Sequence, residues 1–109
     1  MSLKKFSNWV SKTYGDPAPA ELLAFLKDHP DGLALGNGLI LYGIEDIQIY
    51  TEERELEEKG VLYLGAGDLS VFLLRVKDGK VFLVDSTDYQ EVDASFKGID
   101  TCVMLLNQA

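Results

Sequence analysis

The chain has 109 residues, 47% of them hydrophobic and 26% charged, and its eighteen acidic against ten basic side chains give a formal net charge of −8. That length predicts one domain, residues 1–109, able to bury roughly two thirds of its unfolded surface; the composition excludes a disordered or fibrous chain. The negative charge repels phosphate backbones and anionic membrane surfaces, so no direct contact with nucleic acid or membrane is expected. It favours basic partners, although a charge of this size also serves solubility alone.

Cys102 is the single cysteine and has no internal partner, and Met1-Ser-Leu-Lys-Lys lacks the apolar run of a secretory signal, so a cytoplasmic setting is expected. The longest uncharged stretch, Gly32 to Ile44, is glycine-rich and too short to span a bilayer.

From Leu3, the residues Phe6, Trp9, Val10 and Tyr14 recur at spacings of three and four, with Lys4, Lys5 and Lys12 on the other side. This predicts an amphipathic helix, capped by Ser2 and closed by Gly15 in the left-handed conformation. After Asp16-Pro17, a second helix is expected with Pro19 as its first residue, Glu21 in its first turn and Leu22, Leu23, Phe25 and Leu26 as its buried side. His29-Pro30 stops it, and Pro30-Asp31-Gly32 turns the chain.

Leu39-Ile-Leu-Tyr42 reads as a short buried strand between glycines. Ile44 to Lys59 is ambiguous, because Ile47 and Ile49 alternate like a strand while Ile44, Ile47 and the acid-rich remainder suit a helix; the helix is the preferred reading. Between Glu45 and Glu58 seven residues are acidic and only Arg54 is basic.

Three strands follow at Val61-Leu-Tyr-Leu-Gly65, Ser70 to Val76 and Val81 to Asp85. Asp78-Gly79 predicts a two-residue type I′ hairpin in which Val76 faces Val81, Leu74 faces Leu83 and Phe72 faces Asp85, with Val71, Leu73, Arg75, Phe82 and Val84 on the other side. Neither side is polar, so both need cover from helices, strands or a partner. Tyr89-Gln-Glu-Val92 is expected to add a fourth strand. A last helix is expected from an N-cap at Ser95, with Phe96, Ile99, Val103 and Leu106 inward and Gly98 weakening its first turns unless something approaches closely there. The fold class is therefore α+β: an antiparallel meander flanked by short N-terminal helices, a middle acidic helix and a C-terminal helix.

Sites with catalytic or cofactor chemistry are poorly supported. Gly65-Ala-Gly67 lacks the third glycine and the following helix of a dinucleotide loop. His29, the lone histidine, precedes a proline with no nucleophile near it in sequence. Cys102 falls on the core side of its helix, and Asp85, Asp88 and Asp93 match no calcium-loop spacing, so turn aspartates account for them. No catalytic residue, cofactor or metal is expected. The candidate partner-binding residues are Glu52, Glu53, Glu55, Glu57, Glu58 and Asp68: as an electrostatic patch they suit a basic protein, while as a plain helix face they need no partner.

Several short motifs resemble the SUKH superfamily, the cell-wall-assembly-regulator-like proteins that also serve as immunity proteins in bacterial toxin loci. They are Tyr14-Gly15, Ala18-Pro19-Ala-Glu-Leu-Leu-Ala-Phe-Leu26, the Asp31-Gly32 turn, Leu39-Ile-Leu-Tyr-Gly-Ile-Glu-Asp-Ile47, Leu64-Gly65, Asp78-Gly79 with Val81, and Ala94-Ser95-Phe96. The acidic segment before Val61 and the compact Gly65-Ala-Gly-Asp68 loop depart from that pattern. The resemblance implies a helix-flanked sheet with a groove for other proteins and no catalysis. The expected function is thus a non-catalytic protein-binding module, an immunity protein whose basic partner is a toxin such as a nuclease; a homodimer formed through the apolar sheet face is the alternative, and a small hydrolase centred on His29 a third reading.

Overall fold

A computed structural model describes residues 1–107 of the chain. Its elements are α1 (Leu3–Tyr14), α2 (Ala20–Asp28), β1 (Gly32–Ala34), β2 (Ile40–Tyr42), α3 (Ile44–Glu53), β3 (Val61–Ala66), β4 (Ser70–Arg75), β5 (Val81–Asp85), β6 (Val92–Phe96) and α4 (Ile99–Leu106), with 3-10 turns at Gly36–Gly38 and Leu56–Lys59. The strands form one antiparallel sheet in the order of the chain, β1 to β6. The fold is α+β, as the sequence predicts. The meander is longer than expected, because β1 was not legible in the glycine-rich segment before β2.

The N-terminal helices follow their local signals. Ser2 Oγ accepts the Lys5 N–H at 3.1 Å, and Gly15 closes α1 at φ 75°. Pro19 stands one position earlier than expected: at φ −56° and ψ 137° it is the N-cap of α2, and Ala20 is the first helical residue. The acidic helix is shorter than the sequence suggested. α3 ends at Glu53, Glu55 takes the left-handed conformation at φ 54°, and Glu57 and Glu58 lie in the 3-10 turn that follows. Ile49, the residue that made this stretch look like a strand, is about half exposed.

The central hairpin differs in its turn but not in its faces. Leu74 pairs with Val81, Phe72 with Leu83 and Ser70 with Asp85, two residues away from the predicted register. Arg75 N–H donates to Lys80 C=O at 2.8 Å and Gly79 N–H to Arg75 C=O at 2.7 Å, so Val76 to Gly79 form a four-residue loop. Only Gly79 has a positive φ there, whereas a type I′ turn needs Asp78 left-handed too. Asp78 instead holds Arg75 through two side-chain bonds of 3.1 and 2.6 Å and accepts the Lys80 N–H. A slip of two residues keeps every side chain on its predicted face.

Two other expectations are corrected. Ala66, read as part of the Gly65-Ala-Gly-Asp68 loop, belongs to β3 together with Gly65. A bulge between Tyr63 and Gly65 inserts Leu64, and a Cβ on Gly65 would lie 2.1 Å from the Ile40 carbonyl oxygen of β2, so this strand interior accepts only glycine. Near the C-terminus, Ser86 to Glu91 is turn: Asp85 Oδ1 accepts from the Thr87 backbone N–H and hydroxyl, and Asp88 Oδ1 from the Gln90 N–H. β6 therefore begins at Val92, Ser95 and Phe96 lie inside it, and the N-cap of α4 is Gly98 instead of Ser95. The close approach at Gly98 is the Glu21 carboxylate, 2.1 Å from where a Cβ would stand. It places a negative charge at the positive end of α4.

Two apolar clusters flank the sheet. On one face Phe6 and Val10 of α1, Leu22 and Leu26 of α2, Ile44 and Ile47 of α3, and Ile99 and Cys102 of α4 meet Leu62, Leu64, Phe72, Leu74 and Val81. On the other, Tyr63, Val71, Leu73 and Val84 are joined by Tyr50, Leu56 and Tyr89, which reach in from α3, the second 3-10 turn and the β5–β6 turn. One face lies under helices; on the other Tyr63, Val71, Leu73 and Val84 are buried and Phe82 is half-buried.

Candidate functional groove

The margin of the second face is built where β2 gives out. β2 pairs only with Gly65 and Ala66, leaving the first half of β3 without a strand neighbour on that side. Two side chains satisfy its backbone. Thr51 Oγ1 of α3 accepts the Tyr63 N–H at 2.8 Å, and the Tyr14 hydroxyl donates to the Val61 carbonyl at 2.8 Å. Burial, then the nearby carboxylates of Glu57 and Glu52, push the Tyr14 phenol well above its usual range. These bonds fix α3 and the end of α1 against β3.

With α3 so placed, Tyr42, Tyr50 and Tyr63 gather with ring centroids 5.1 to 5.8 Å apart. The Arg54 guanidinium lies over two of them, 4.7 Å from the Tyr63 ring centre and 5.2 Å from that of Tyr50. Burial is the main cause that raises the Tyr42 and Tyr63 phenols, and Arg54 partly offsets it at both. Arg54, the lone base of the acidic segment, is thus turned to the aromatic wall, with only a 3.6 Å contact to Glu53.

Beyond this wall and the Leu56 plug, the face opens into a groove of about 510 Å3 across β4 to β6, floored by Leu73, Phe82 and Val84 and edged by Lys59, Tyr89 and Val92. Val92 is 52% exposed. Arg75 also lines the groove; it lies 5.2 Å from the Phe82 ring centre and is held by Asp78. Burial and pairing follow directly from the alternation in β4 and β5, which sends Leu73, Arg75, Phe82 and Val84 to this side.

The six candidate partner-binding residues do not form one patch. Glu52 and Glu57 converge electrostatically on Tyr14; Glu53 and Glu55 flank Arg54, and Glu58 is exposed on the 3-10 turn beside Lys59. Asp68 lies beyond the far end of β3, about 20 Å from Val61 at the rise of an extended strand. It is neighboured by Leu69, 76% exposed, and lies apart from the other acids. The tyrosine wall, Arg54 and the Tyr89 rim were missed in sequence, whereas Phe82 was placed on the apolar face. Their signal was present in the solitary arginine among acids and in strand residues too apolar for a wet face.

The remaining candidates are simple in their surroundings. Cys102 is fully buried, and burial raises its thiol to about 11. The His29 ring packs 5.0 Å from that of Phe25, beside a hollow of about 290 Å3 whose lining includes Asp28 and Asp100 but no hydroxyl or thiol. Among the described residues, no three His, Cys, Asp or Glu side chains are grouped to hold a metal ion, and no helix is long and apolar enough to cross a membrane. The chain matches no protein-family sequence model, and no curated protein matches it.

Proposed function

We propose that this protein is a non-catalytic binding module that works in the cytoplasm and recognises a basic protein, most specifically an immunity protein that neutralises a toxin, such as a nuclease, by direct contact. The observation that carries this reading is the sidedness of the sheet. Helices cover one face, while the other presents an apolar groove edged by Lys59, the residue that follows the acidic segment 52–58 in the chain. Such a surface divides the work of recognition: apolar floor for contact, carboxylates at one end for rapid, oriented encounter. The net charge of −8 favours a basic protein over a nucleic acid.

Glu55 adds support. A non-glycine residue held at φ 54° stores strain that a glycine would avoid, and strain of this kind concentrates at functional surfaces. The toxin reading itself draws on the resemblance of the sequence to the SUKH superfamily, and the groove is the feature that such a function requires.

The test uses the purified protein and the product of the coding sequence beside its own. Binding is followed by stopped-flow mixing at low salt for the wild type, for a triple variant Glu53→Lys, Glu55→Lys, Glu57→Lys, and for Phe82→Glu. The triple variant should slow association about tenfold or more, and Phe82→Glu should speed dissociation. Binding indifferent to both sets, or a neighbour that does not bind, would overturn the proposal.

A further inference from the structure

β6 is the last strand of the sheet, so among the described residues one of its sides meets no other strand. Two backbone bonds establish which of its groups face outward. Arg75 N–H donates to Lys80 C=O, so the even-numbered residues along β5 turn their backbone groups toward β4; Asp85 N–H donates to Glu91 C=O at 3.1 Å, so the odd-numbered ones turn toward β6. Val81 and Leu83 therefore exchange ladder bonds with Phe96 and Ala94, their partners. Ser95, opposite Phe82, points its N–H and C=O away from the sheet.

This edge is poorly guarded. Val92–Phe96 contains no proline and no lysine, and its bulge, at Asp93, disturbs only the first half of the strand. The opposite edge, β1, has three residues. The charges flanking Ser95 are antisymmetric, with Asp93 two residues before it and Lys97 two residues after, both exposed.

We propose that β6 pairs antiparallel with β6 of a second copy of this chain, about a two-fold axis at Ser95. In that register Asp93 of each copy stands opposite Lys97 of the other, and symmetry makes two favourable pairs from one. A two-fold axis moved to Asp93, the bulge residue, or to Lys97, the residue just past the end of β6, sets like charges against each other, Asp93 facing Asp93 or Lys97 facing Lys97. The charge pattern thus favours an identical strand paired about Ser95 over pairing about Asp93 or Lys97. The pairing joins the two sheets edge to edge and leaves the groove face of each copy open, so it stands independently of the binding function proposed above.

Sedimentation velocity on the intact chain up to about 100 μM tests it, because self-association follows mass action. Ser95→Pro removes an outward N–H that the β5 ladder does not use, so it blocks edge pairing from within a folded sheet. The wild type should dimerise in this range. Ser95→Pro, Asp93→Lys alone and Lys97→Asp alone should each weaken the dimer about tenfold, and Asp93→Lys combined with Lys97→Asp should restore it. A wild type that stays monomeric overturns the proposal, as does a dimer indifferent to Ser95→Pro when that variant melts like the wild type. Where Ser95→Pro does not fold, the charge exchange decides: failure of the double variant to recover overturns it. A dimer abolished by Phe82→Glu and untouched by the charge reversals places self-association on the groove face and equally overturns it.

Discussion

The Thr51 hydroxyl oxygen accepts the Tyr63 backbone N–H at 2.8 Å, and Thr51 is fully buried. A helix side chain thus finishes the work of a strand that is too short. Thr51→Val keeps the shape and removes the acceptor, leaving a buried N–H unsatisfied, and should destabilise the fold by about 1–3 kcal/mol in urea unfolding. Thr51→Ser retains the oxygen and should lose less. Equal losses from the two would show that the methyl group, rather than the bond, matters.

Gly65→Ala and Gly98→Ala introduce the same atom into equally short contacts with opposite neighbours. At Gly65 the obstacle is the Ile40 carbonyl of the adjacent strand; at Gly98 it is the end of the Glu21 side chain. Backbone cannot yield and a carboxylate can, so Gly65→Ala should cost roughly 1–3 kcal/mol and Gly98→Ala clearly less. Combining Gly98→Ala with Glu21→Ala should remove what cost remains, a non-additivity visible in a double-mutant cycle of thermal melts.

Glu55→Gly should raise stability by up to about 1 kcal/mol, since the left-handed conformation at φ 54° strains a residue with a Cβ. The same variant should slow association with the partner protein. Stability and recognition moving in opposite directions is the measurable signature of a strained binding residue; a loss of stability would place Glu55 in ordinary structural support.

Stability should fall on both sides of neutrality. Burial lifts the Cys102 thiol from 9.0 to about 11, and it raises Tyr14, Tyr42 and Tyr63 above 10.0. These groups hold their protons more tightly when folded, so their contribution is complete below pH 9.0 and is lost as pH rises through the folded values. On the acid side, Asp78 is drawn down from 3.8 to about 2, chiefly by its bonds from Arg75 and then by the Lys80 N–H; the Thr87 hydroxyl and N–H lower Asp85 as well. Their contribution is present above pH 3.8 and fades as pH falls toward 2. Both aspartates are exposed, which makes the acid arm the shallower one. Urea midpoints measured across pH with Cys102→Ala and Tyr14→Phe should flatten the alkaline arm alone.

The parts of the fold written in local chemistry were legible from sequence. α1 begins at Ser2 and ends at Gly15 because capping acts over a few residues, and the faces of β4 and β5 survive a wrong turn because alternation has a period of two. What failed depended on distant partners. Asp78-Gly79 looked like a two-residue turn, but the bonds from Arg75 to Asp78 close a wider loop. Ser95-Phe96 looked like the start of a helix, yet pairing with Phe82 and Val81 draws both into the sheet. The acidic segment was legible as a composition, but its break at Glu55 and the burial of Leu56 were not, since they belong to packing against β3 and β4.

Placing its helices on one side gives the molecule two unequal rates of permissible change. Phe6, Leu22 and Phe72 each lock several elements together, and replacing one disturbs the folding of all. Lys59, Tyr89 and Val92 edge the groove, and none of them belongs to the cluster under the α-helices. A lineage could rewrite those side chains to follow a new ligand while the scaffold beneath them stays as it was.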